Sequence, residues 1–477
     1  MRNLTMMTDL YQLTMMYGYF RKKTHENMAV YDVFFRKGAG ESKYAVFAGL
    51  EQVIEYINNL HFSDEDIDYL RTLNLFDENF FSFLKQFRFT GEIYAMPEGT
   101  VVFPYEPLIR VRAPIAQAQL IETAMLNIIN HQTLIATKAS RVCNAAEGGV
   151  VLEFGLRRAQ GPDAGIYGAR AAIIGGCDTT SNVLTTQMFG ARPAGTHAHS
   201  WIMSFDSELE AFRAYAEVFP DSCLLLVDTY DTLASGMPNA ITVFRELREK
   251  GYEPMGVRLD SGDLAYLSRM CRRMLDEAGF PNAKICASSD LDEQIIRDLR
   301  QQGACIDTWG VGTKLITSEN CPALGGVYKL AEVERHGKMQ PRIKISENFW
   351  KITNPGYKKV VRIYDGATEK AIADLIMLDH EQIDVSRPLT IFDPVETWKR
   401  MTISNYYIKE LLVPIFQGGK QVYESPGMMA SRDYAKKDLD TFWAEYRRPY
   451  RPHIYKVDLS QELFDLKHEL LGESARH

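Results

Sequence analysis

Residues 151–204 read VLEFGLRRAQGPDAGIYGARAAIIGGCDTTSNVLTTQMFGARPAGTHAHSWIMS. The segment covers two short apolar runs, VVLEFG from Val150 and AAIIGG from Ala171, which we interpret as strands. Strands that end in polar residues are how α/β barrels present reactive groups at one rim. A pair of arginines follows the first run, and arginine binds carboxylate and phosphate groups well. The segment therefore predicts an enzyme site for an anionic substrate.

The apolar runs continue towards the C-terminus with a regular spacing. They are LLLVD from Leu224, MGVRLD from Met255, KICASSD from Lys284 and IDTWGVG from Ile306. Helical patterns separate them, over residues 207–219, 240–250, 263–278 and 291–302. Strands that alternate with helices imply a parallel sheet, so we predict an α/β fold with an irregular (β/α) barrel.

The flanking regions have a different rhythm, and we divide the chain into three parts. Residues 1–120 mix an amphipathic helix from Asp9 with strand-like runs and form an N-terminal α+β domain. Residues 121–341 form the barrel domain, which opens with a long apolar helical stretch. Residues 342–477 are richer in Lys, Tyr and Pro and form a C-terminal region packed on the rest.

Composition excludes several classes of function. A net charge of -8 argues against a nucleic-acid-binding protein, which needs a basic face. The seven cysteines are scattered without any CxxC pair, as expected of reduced thiols. The chain opens without a charged-then-apolar leader, and no apolar run approaches the length of a membrane span. We therefore expect a cytoplasmic enzyme that does not insert into a membrane.

Polar residues cluster where the strand-like runs end, which in a barrel is the ligand-binding rim. They are Asp228 and Asp231, then Arg258, Asp260, Ser261 and Asp263, then Ser288, Ser289 and Asp290, and finally Gly310, Gly312, Thr313 and Lys314. For Asp263 and Asp290, a role as the N-cap of the following helix is an equally good interpretation. The segment GVGTK indicates phosphate binding only through its place in a late barrel loop.

Eight motifs, in order along the chain, carry a family resemblance. They are TDLYQLTM from Thr8, FRKGAGESKYAVFAGLE from Phe35, EFGLRRAQGPDAG from Glu153, GGCDTTSN from Gly175, GTHAHSWI from Gly195, VDTYDT from Val227, VRLDSGD from Val257 and WGVGTK from Trp309. On these motifs the chain resembles the nicotinate phosphoribosyltransferase family. The resemblance implies the barrel of type II phosphoribosyltransferases and the conversion of nicotinate and phosphoribosyl pyrophosphate to nicotinate mononucleotide and pyrophosphate.

The resemblance also implies that ATP is a co-substrate and that Mg²⁺ takes part. ATP hydrolysis drives the family's reaction through a phosphohistidine, and His199 matches that residue. His197 lies two positions earlier, and two residues that far apart on an extended segment share a face. Spacing alone therefore does not choose between the two histidines, and the motif selects His199.

The remaining roles are carried over from the family position by position. Tyr11 and Phe154 match the pair that sandwiches the pyridine ring, and the partner subunit of a homodimer can supply the tyrosine. Arg157 and Arg258 match the groups around the nicotinate carboxylate and the sugar phosphates, and Ser200 matches a hydrogen-bond donor to that carboxylate. The ribose or Mg²⁺ contacts are assigned to Asp228 and Asp260, and the 5′-phosphate contacts to Ser288, Gly310, Gly312 and Thr313.

Two alternatives remain open from the sequence. The nicotinamide phosphoribosyltransferases share this fold, and Asp178 offers a hydrogen-bond acceptor for an amide. The paired arginines and Ser200 favour a carboxylate instead. A barrel that binds a phosphosugar without turnover is the second alternative, which the full set of acidic, cationic and histidine positions disfavours.

Overall fold

The computed structural model describes residues 3–38, 42–348 and 351–474. Residues 39–41, which belong to the motif FRKGAGESKYAVFAGLE, lie outside the described residues. Two compact units make up the chain. One consists of Met1–Leu134 together with Ala323–His477, and the other of Ile135–Pro322.

The elements follow in chain order. The N-terminal part contains helices α1 (Leu10–Arg21), α2 (Leu50–Asn58), α3 (Asp64–Thr72), α4 (Glu78–Lys85) and α5 (Ile115–Leu120), and strands β1 (Met28–Phe35), β2 (Ala45–Val46), β3 (Glu92–Ala95), β4 (Val101–Val102) and β5 (Ile109–Pro114). The middle contains helices α6 (Glu122–Ala146), α7 (Pro162–Ile174), α8 (Val183–Phe189), α9 (His199–Met203), α10 (Glu208–Val218), α11 (Met237–Glu249), α12 (Leu264–Glu277), α13 (Glu293–Gln301) and α14 (Thr313–Ile316), and strands β6 (Val150–Glu153), β7 (Thr179–Thr180), β8 (Leu224–Leu226), β9 (Gly256–Leu259), β10 (Lys284–Ser288) and β11 (Thr308–Val311). The C-terminal part contains strands β12 (Gly326–Arg335), β13 (Lys338–Pro341), β14 (Lys358–Asp365), β15 (Ala371–Leu378), β16 (Leu389–Phe392), β17 (Arg400–Ile403), β18 (Tyr406–Glu410), β19 (Val413–Gln417), β20 (Lys420–Gln421) and β21 (Lys456–Leu459), and helices α15 (Met428–Asp440), α16 (Ala444–Arg447) and α17 (Gln461–Ser474).

The unit of residues 135–322 is built on one parallel sheet. Its strand order is β7-β6-β11-β10-β9-β8, and every ladder in it is parallel. Helices α11, α12 and α13 each connect one of its strands to the next parallel strand. The strands are apolar and buried, since Leu225, Val257, Ile285 and Trp309 are all fully buried. The α/β fold of the irregular-barrel kind is thus confirmed.

One predicted strand of this unit is wrong. The run AAIIGG is not a strand, because Ala171–Ile174 form the last turn of helix α7. That helix begins at Pro162, a good first residue because its missing N–H would be unpaired there in any case. Gly168 through Ile174 are all buried, and a short apolar run in a buried helix looks the same in sequence as a buried strand.

The two histidines were compared as residues of an extended segment, and the structure differs there too. Residues 191–198 adopt no regular secondary structure. Ala198 is instead the N-cap of the short helix α9, and His199 is its first residue. The glycine and proline of this segment explain the difference, because neither favours a strand interior.

The other unit contains a mixed set of sheets, and its composition departs from the three-part division expected from the sequence. A seven-stranded sheet has the order β13-β12-β1-β5-β3-β19-β20. Strand β12, which we had placed in the barrel domain, pairs with β1, and β19 of the C-terminal region pairs with β3. Residues 323–341 and the C-terminal region therefore join the N-terminal region in one unit.

A buried ion-pair cluster ties the C-terminal strands and helices of that unit together. The Arg362 guanidinium contacts Asp374 at 2.7 Å and Asp438 at 3.0 Å, and all three side chains are buried. A buried charge is tolerated when it is paired in this way.

None of the helices in the described ranges combines the length and apolar character that a membrane crossing requires.

Candidate active site

The parallel register brings the predicted polar residues to one edge of the sheet. Asp228 follows β8, Asp260 follows β9, and Ser288 ends β10. Leu226 pairs with Arg258, and Cys286 pairs with Arg258 on the other side, so the ends of the three strands lie level. The carboxyl ends of parallel strands form the usual ligand-binding edge of such a sheet.

Asp228 is the centre of this edge. Its side chain is only 2% exposed, and Oδ1 lies 3.3 Å from Nε2 of His199. Its second oxygen, Oδ2, accepts the Asp260 backbone N–H at 2.7 Å and the Ser261 hydroxyl at 2.8 Å. Three hydrogen-bonding groups thus contact this carboxylate, and one of them is the His199 imidazole. Ser261 was expected at the rim without a specific role, and its place directly after Asp260 was the only signal.

Arg258 is held by three oxygen acceptors. Its Nε donates to Ser288 Oγ at 2.9 Å, one terminal nitrogen donates to Asp260 Oδ1 at 3.2 Å, and the other donates to Thr196 Oγ1 at 3.4 Å. The Ser288 hydroxyl also donates to the same Asp260 oxygen. Because these three hydrogen bonds fix the plane of the guanidinium, the group is well suited to binding an anion. Thr196 was not identified from the sequence, because its contact arises from an irregular segment.

Phe154 lies beside this cation, with the Arg258 guanidinium carbon 5.6 Å from the centre of its ring. Gly310 on the neighbouring strand makes that position possible. A Cβ atom on Gly310 would come within 2.7 Å of a Phe154 ring carbon and 3.3 Å of the Ser288 Cβ. The observed contact of Gly310 is therefore with the aromatic ring, and its expected contact with a phosphate stays a prediction.

The structure separates the two histidines that spacing alone could not. His197 is 8% exposed, its Nε2 accepts the Leu226 N–H at 3.3 Å, and its ring packs edge-on against Tyr215. Burial lowers the pKa of His197 to about 4, which keeps it neutral. The His199 side chain is 38% exposed and contacts Asp228. His197 is thus part of the core, and His199 is the imidazole that a substrate can reach.

Three predicted ligands are not joined to this cluster by the described contacts. Arg157 is exposed in the 3₁₀ turn Leu156–Arg158, which follows Phe154, and Ser200 is exposed in helix α9. Tyr11 belongs to the other compact unit, where it lies on helix α1 and is about half exposed. The pairing of Tyr11 with Phe154 stays a prediction.

Several residues of these loops are the N-caps of the helices that follow them. Gly312 is the N-cap of the short helix α14, which starts at Thr313. Asp263 accepts the Tyr266 N–H as the N-cap of α12, so the capping interpretation is correct for Asp263. For Asp290 it is wrong, because Asp292 caps helix α13.

Asp178 bears on the choice between nicotinate and nicotinamide. Its carboxylate accepts the backbone N–H of Val151 at 2.8 Å, near the start of strand β6. Val151 is the second residue of that strand, whereas the binding edge lies at the strand's other end, beyond Glu153. The observed contact of Asp178 is therefore with the backbone of β6.

Ser289 has a strained backbone at the same edge of the sheet. Its φ angle is 112°, in a region that residues other than glycine rarely adopt. The strain occurs where buried strand β10 ends and the exposed turn to Asp290 begins. Strained residues of this kind are concentrated at functional sites, where the surrounding structure holds them in place.

The oxygen-rich edge fits a magnesium ion that is bound largely through substrate. No cluster of three or more potential ligands occurs among the residues that the structure describes. Mg²⁺ usually binds one or two protein carboxylates and completes its shell with water and phosphate oxygens. Asp260 satisfies that need, since only its Oδ1 is engaged by Arg258 and Ser288 in the described contacts.

Comparison with known proteins independently supports the assignment of this chain to a family. The sequence model described as "Nicotinate phosphoribosyltransferase (NAPRTase) family" matches residues 150–362, and the models of the N-terminal and C-terminal domains match residues 6–130 and 357–467. The nicotinate phosphoribosyltransferase of Bacillus subtilis is 48% identical over 471 residues, which cover 99% of this chain and 96% of that protein. The protein of the same name from Dictyostelium discoideum is 37% identical and covers 98% of this chain and 88% of its own length.

Solved structures agree with the sequence comparison. The crystal structure of human nicotinic acid phosphoribosyltransferase matches with a TM-score of 0.85 and 30% identity, covering 97% of this chain and 99% of that one. A nicotinate-nucleotide pyrophosphorylase from Pyrococcus furiosus matches with a TM-score of 0.71 and 25% identity, covering 92% and 96% of the two chains. The fold, the ordered motifs and the full-length similarity agree, and the chain belongs to the nicotinate phosphoribosyltransferase family.

Proposed function

We propose that this chain joins nicotinate to phosphoribosyl pyrophosphate, forming nicotinate mononucleotide and pyrophosphate, and that it hydrolyses ATP in the same cycle. The observation that carries the proposal is the contact of His199 with Asp228 beside the Arg258–Asp260–Ser288 cluster. This observation supports the proposal because one edge of the sheet carries an imidazole, a guanidinium and two carboxylates. We assign them to phosphorylation, anion binding and ribose binding. Full-length similarity to enzymes of this name supports the choice of substrate.

The contact between His199 and Asp228 assigns the reactive nitrogen. An ionised carboxylate only accepts hydrogen bonds, so Nε2 of His199 carries the proton that it shares with Asp228. The lone pair then lies on Nδ1. Attack of Nδ1 on the γ-phosphorus of ATP forms the nitrogen–phosphorus bond and releases ADP. The phosphorylated histidine adds negative charge to the rim, which can shift the conformation of the surrounding loops. Water then attacks the phosphorus, the nitrogen–phosphorus bond breaks, and phosphate leaves the neutral imidazole ready for the next cycle.

In the transfer step the pyridine nitrogen attacks C1 of the ribose as pyrophosphate leaves. Positive charge develops on the sugar, and we assign its stabilisation to the carboxylates of Asp228 and Asp260, which lie next to each other. Arg258 binds the departing anion or the nicotinate carboxylate. A bound Mg²⁺, held by Asp260 and phosphate oxygens, would supply further neutralisation of the leaving group. Ser288, Gly310, Gly312 and Thr313 are proposed to bind the 5′-phosphate, on the family resemblance.

Nicotinate is expected to be preferred over nicotinamide by at least about tenfold in kcat/KM. A charge-assisted contact between arginine and carboxylate is worth roughly 1.5–3 kcal/mol, and 1.4 kcal/mol corresponds to one factor of ten. Steady-state assays with each labelled pyridine, at saturating phosphoribosyl pyrophosphate, measure the ratio. Equal kcat/KM values would refute the nicotinate assignment and favour the nicotinamide enzyme.

A homodimer with shared sites is part of the proposal, since the family resemblance assigns Tyr11 to the partner's ring site. Mixing Tyr11→Ala and His199→Asn chains should then restore activity, because each mixed dimer contains one site with both residues intact. After full exchange half of the dimers are mixed, so about a quarter of all sites are restored. Activity recovered after verified exchange is the measurement. A fully active monomer in ultracentrifugation, or no recovery, would contradict the shared site.

The cytoplasmic location expected from the cysteine usage also belongs to this proposal. None of the seven cysteines, all of which the structure describes, forms a disulfide, and four of them are buried. Free thiols persist where the surroundings are reducing.

A further inference from the structure

Glu153 is a fully buried carboxylate directly beside the ring site, with 0% of its surface exposed. It is the last residue of β6, and Phe154 follows it. Glu153 is the first residue of the motif EFGLRRAQGPDAG, and the family resemblance assigns it no role. Burying a carboxylate is costly unless hydrogen bonds satisfy it, so its partners indicate what it does.

Both carboxylate oxygens of Glu153 accept hydrogen bonds from neighbouring turns. Oε2 accepts the Thr180 hydroxyl at 2.6 Å, and Oε1 accepts the backbone N–H of Gly155. Burial raises the pKa of the Glu153 carboxyl, while these two donors oppose that rise. The carboxylate thus links strand β7 to the first peptide after Phe154.

Gly155 is the point through which this link reaches the ligand-binding residues. A Cβ on Gly155 would come within 2.6 Å of Ile316 and 2.8 Å of Glu153 Oε1, so the turn passes tightly between them. The Gly155 carbonyl accepts the Arg158 N–H at 2.8 Å, which starts the 3₁₀ turn that carries Arg157. The peptide held by Glu153 therefore lies between Phe154 and Arg157.

Thr180 anchors the other end of the link. Its hydroxyl oxygen also accepts the Asn182 N–H at 3.0 Å, and Asn182 is the N-cap of helix α8. The Asn182 side chain donates to the Gly165 carbonyl in helix α7 at 3.1 Å. The hydrogen bonds from Glu153 thus lead through Thr180 and Asn182 to helices α7 and α8, rather than to a mobile side chain.

We propose that Glu153 is a positioning residue for nicotinate: its carboxylate fixes the turn from Phe154 to Arg157, so that ring and cation are held at one spacing. This inference rests on the proposed function, because it needs nicotinate to bind at that turn. Glu153 itself touches neither substrate nor reacting atoms. Loss of the link leaves Asp228, His199 and Asp260 in place and loosens only the pyridine site.

The test compares Glu153→Gln with the wild-type chain in steady-state kinetics. Glutamine has one acceptor oxygen in place of two, so one donor, Gly155 N–H or Thr180 hydroxyl, loses its partner. The KM for nicotinate should rise about tenfold, the size expected for one lost hydrogen bond to a buried charge. The KM for phosphoribosyl pyrophosphate should stay at the wild-type value, and kcat should change less than the nicotinate KM.

Glu208→Gln is the matched control. Glu208 is a buried carboxylate of the same unit that accepts from Ser235 at 2.5 Å and from Asn239 at 2.9 Å. Its replacement should leave the nicotinate KM unchanged.

A second pair of variants keeps the test decisive if Glu153→Gln does not fold. Thr180→Val removes the hydroxyl donor and should raise the KM for nicotinate. Thr180→Ser keeps the donor and should have the wild-type KM for nicotinate.

Several results would overturn the inference. One is a wild-type nicotinate KM in both Glu153→Gln and Thr180→Val. Another is a parallel rise in the KM of both substrates, which marks general loosening of the fold. A wild-type chain that converts no nicotinate would instead refute the proposed function itself, and the wild-type reaction reports that separately.

Discussion

Replacing His199 with asparagine is expected to abolish ATP hydrolysis and the transfer of γ-phosphate to the protein. Asparagine keeps a polar side chain near Asp228 and removes the nucleophilic nitrogen, so the covalent step has no acceptor. Slow, ATP-independent formation of nicotinate mononucleotide should remain, because Asp228, Asp260 and Arg258 are still in place. Incorporation of label from γ-phosphate-labelled ATP into an acid-labile protein adduct is the measurement.

His380→Asn is the matched control for that experiment. His380 also places Nε2 against a carboxylate, 2.7 Å from Glu462, but it lies on the surface of the other unit. This variant should incorporate label at the wild-type level. Wild-type labelling of His199→Asn would show that another residue carries the phosphate.

Replacing Gly310 with alanine should lower kcat/KM for nicotinate about 100-fold, the effect expected from an error of about 1 Å in positioning. The new Cβ would lie 2.7 Å from the Phe154 ring, and the backbone of Gly310 cannot retreat. It is fixed between two parallel ladders, opposite Leu152 in β6 and Ser288 in β10. The Phe154 ring must therefore move, and with it the surface proposed to bind the pyridine.

Gly472→Ala serves as the control for adding a methyl group. Gly472 lies in helix α17 with open space around the position of a Cβ. The Gly472→Ala variant should have the wild-type kcat/KM for nicotinate. A Gly310→Ala enzyme with a wild-type KM for nicotinate would show that Phe154 does not contact the substrate. Thermal unfolding of both variants separates a local shift of the ring from loss of the fold.

The sequence predicted the sheet edge well because strand ends are a local signal. The runs ending at Asp228, Asp260, Ser288 and Gly310 are buried and apolar, and each stops at a polar or small residue. In a parallel sheet such ends must meet, so the cluster followed from the pattern alone. The family resemblance then supplied the roles of these residues.

The errors arose where the sequence signal was ambiguous or came from distant residues. AAIIGG looked like a strand because burial on all sides removes the period that separates helix from strand. Strand β12 was placed in the barrel because its pairing with β1 joins residues far apart in the chain, which leaves no local pattern. Thr196 and Glu153 were missed because their partners are set by irregular turns.

The choice between His197 and His199 shows what the structure adds. Both histidines belong to the motif GTHAHSWI, and on an extended segment their side chains would share one face. The chain instead starts helix α9 at His199, while His197 packs under strand β8 against Tyr215. Burial, which depends on tertiary packing, distinguishes them where spacing does not, and it agrees with the choice of His199 from the motif.

The central claim is that this chain makes nicotinate mononucleotide with the help of ATP. The most direct measurement incubates the purified chain with labelled nicotinate, phosphoribosyl pyrophosphate and Mg²⁺, with and without ATP, and quantifies the labelled product and pyrophosphate. We expect the two products in equal amounts, and a faster or more complete conversion when ATP is present and hydrolysed. No labelled mononucleotide under either condition would contradict the account.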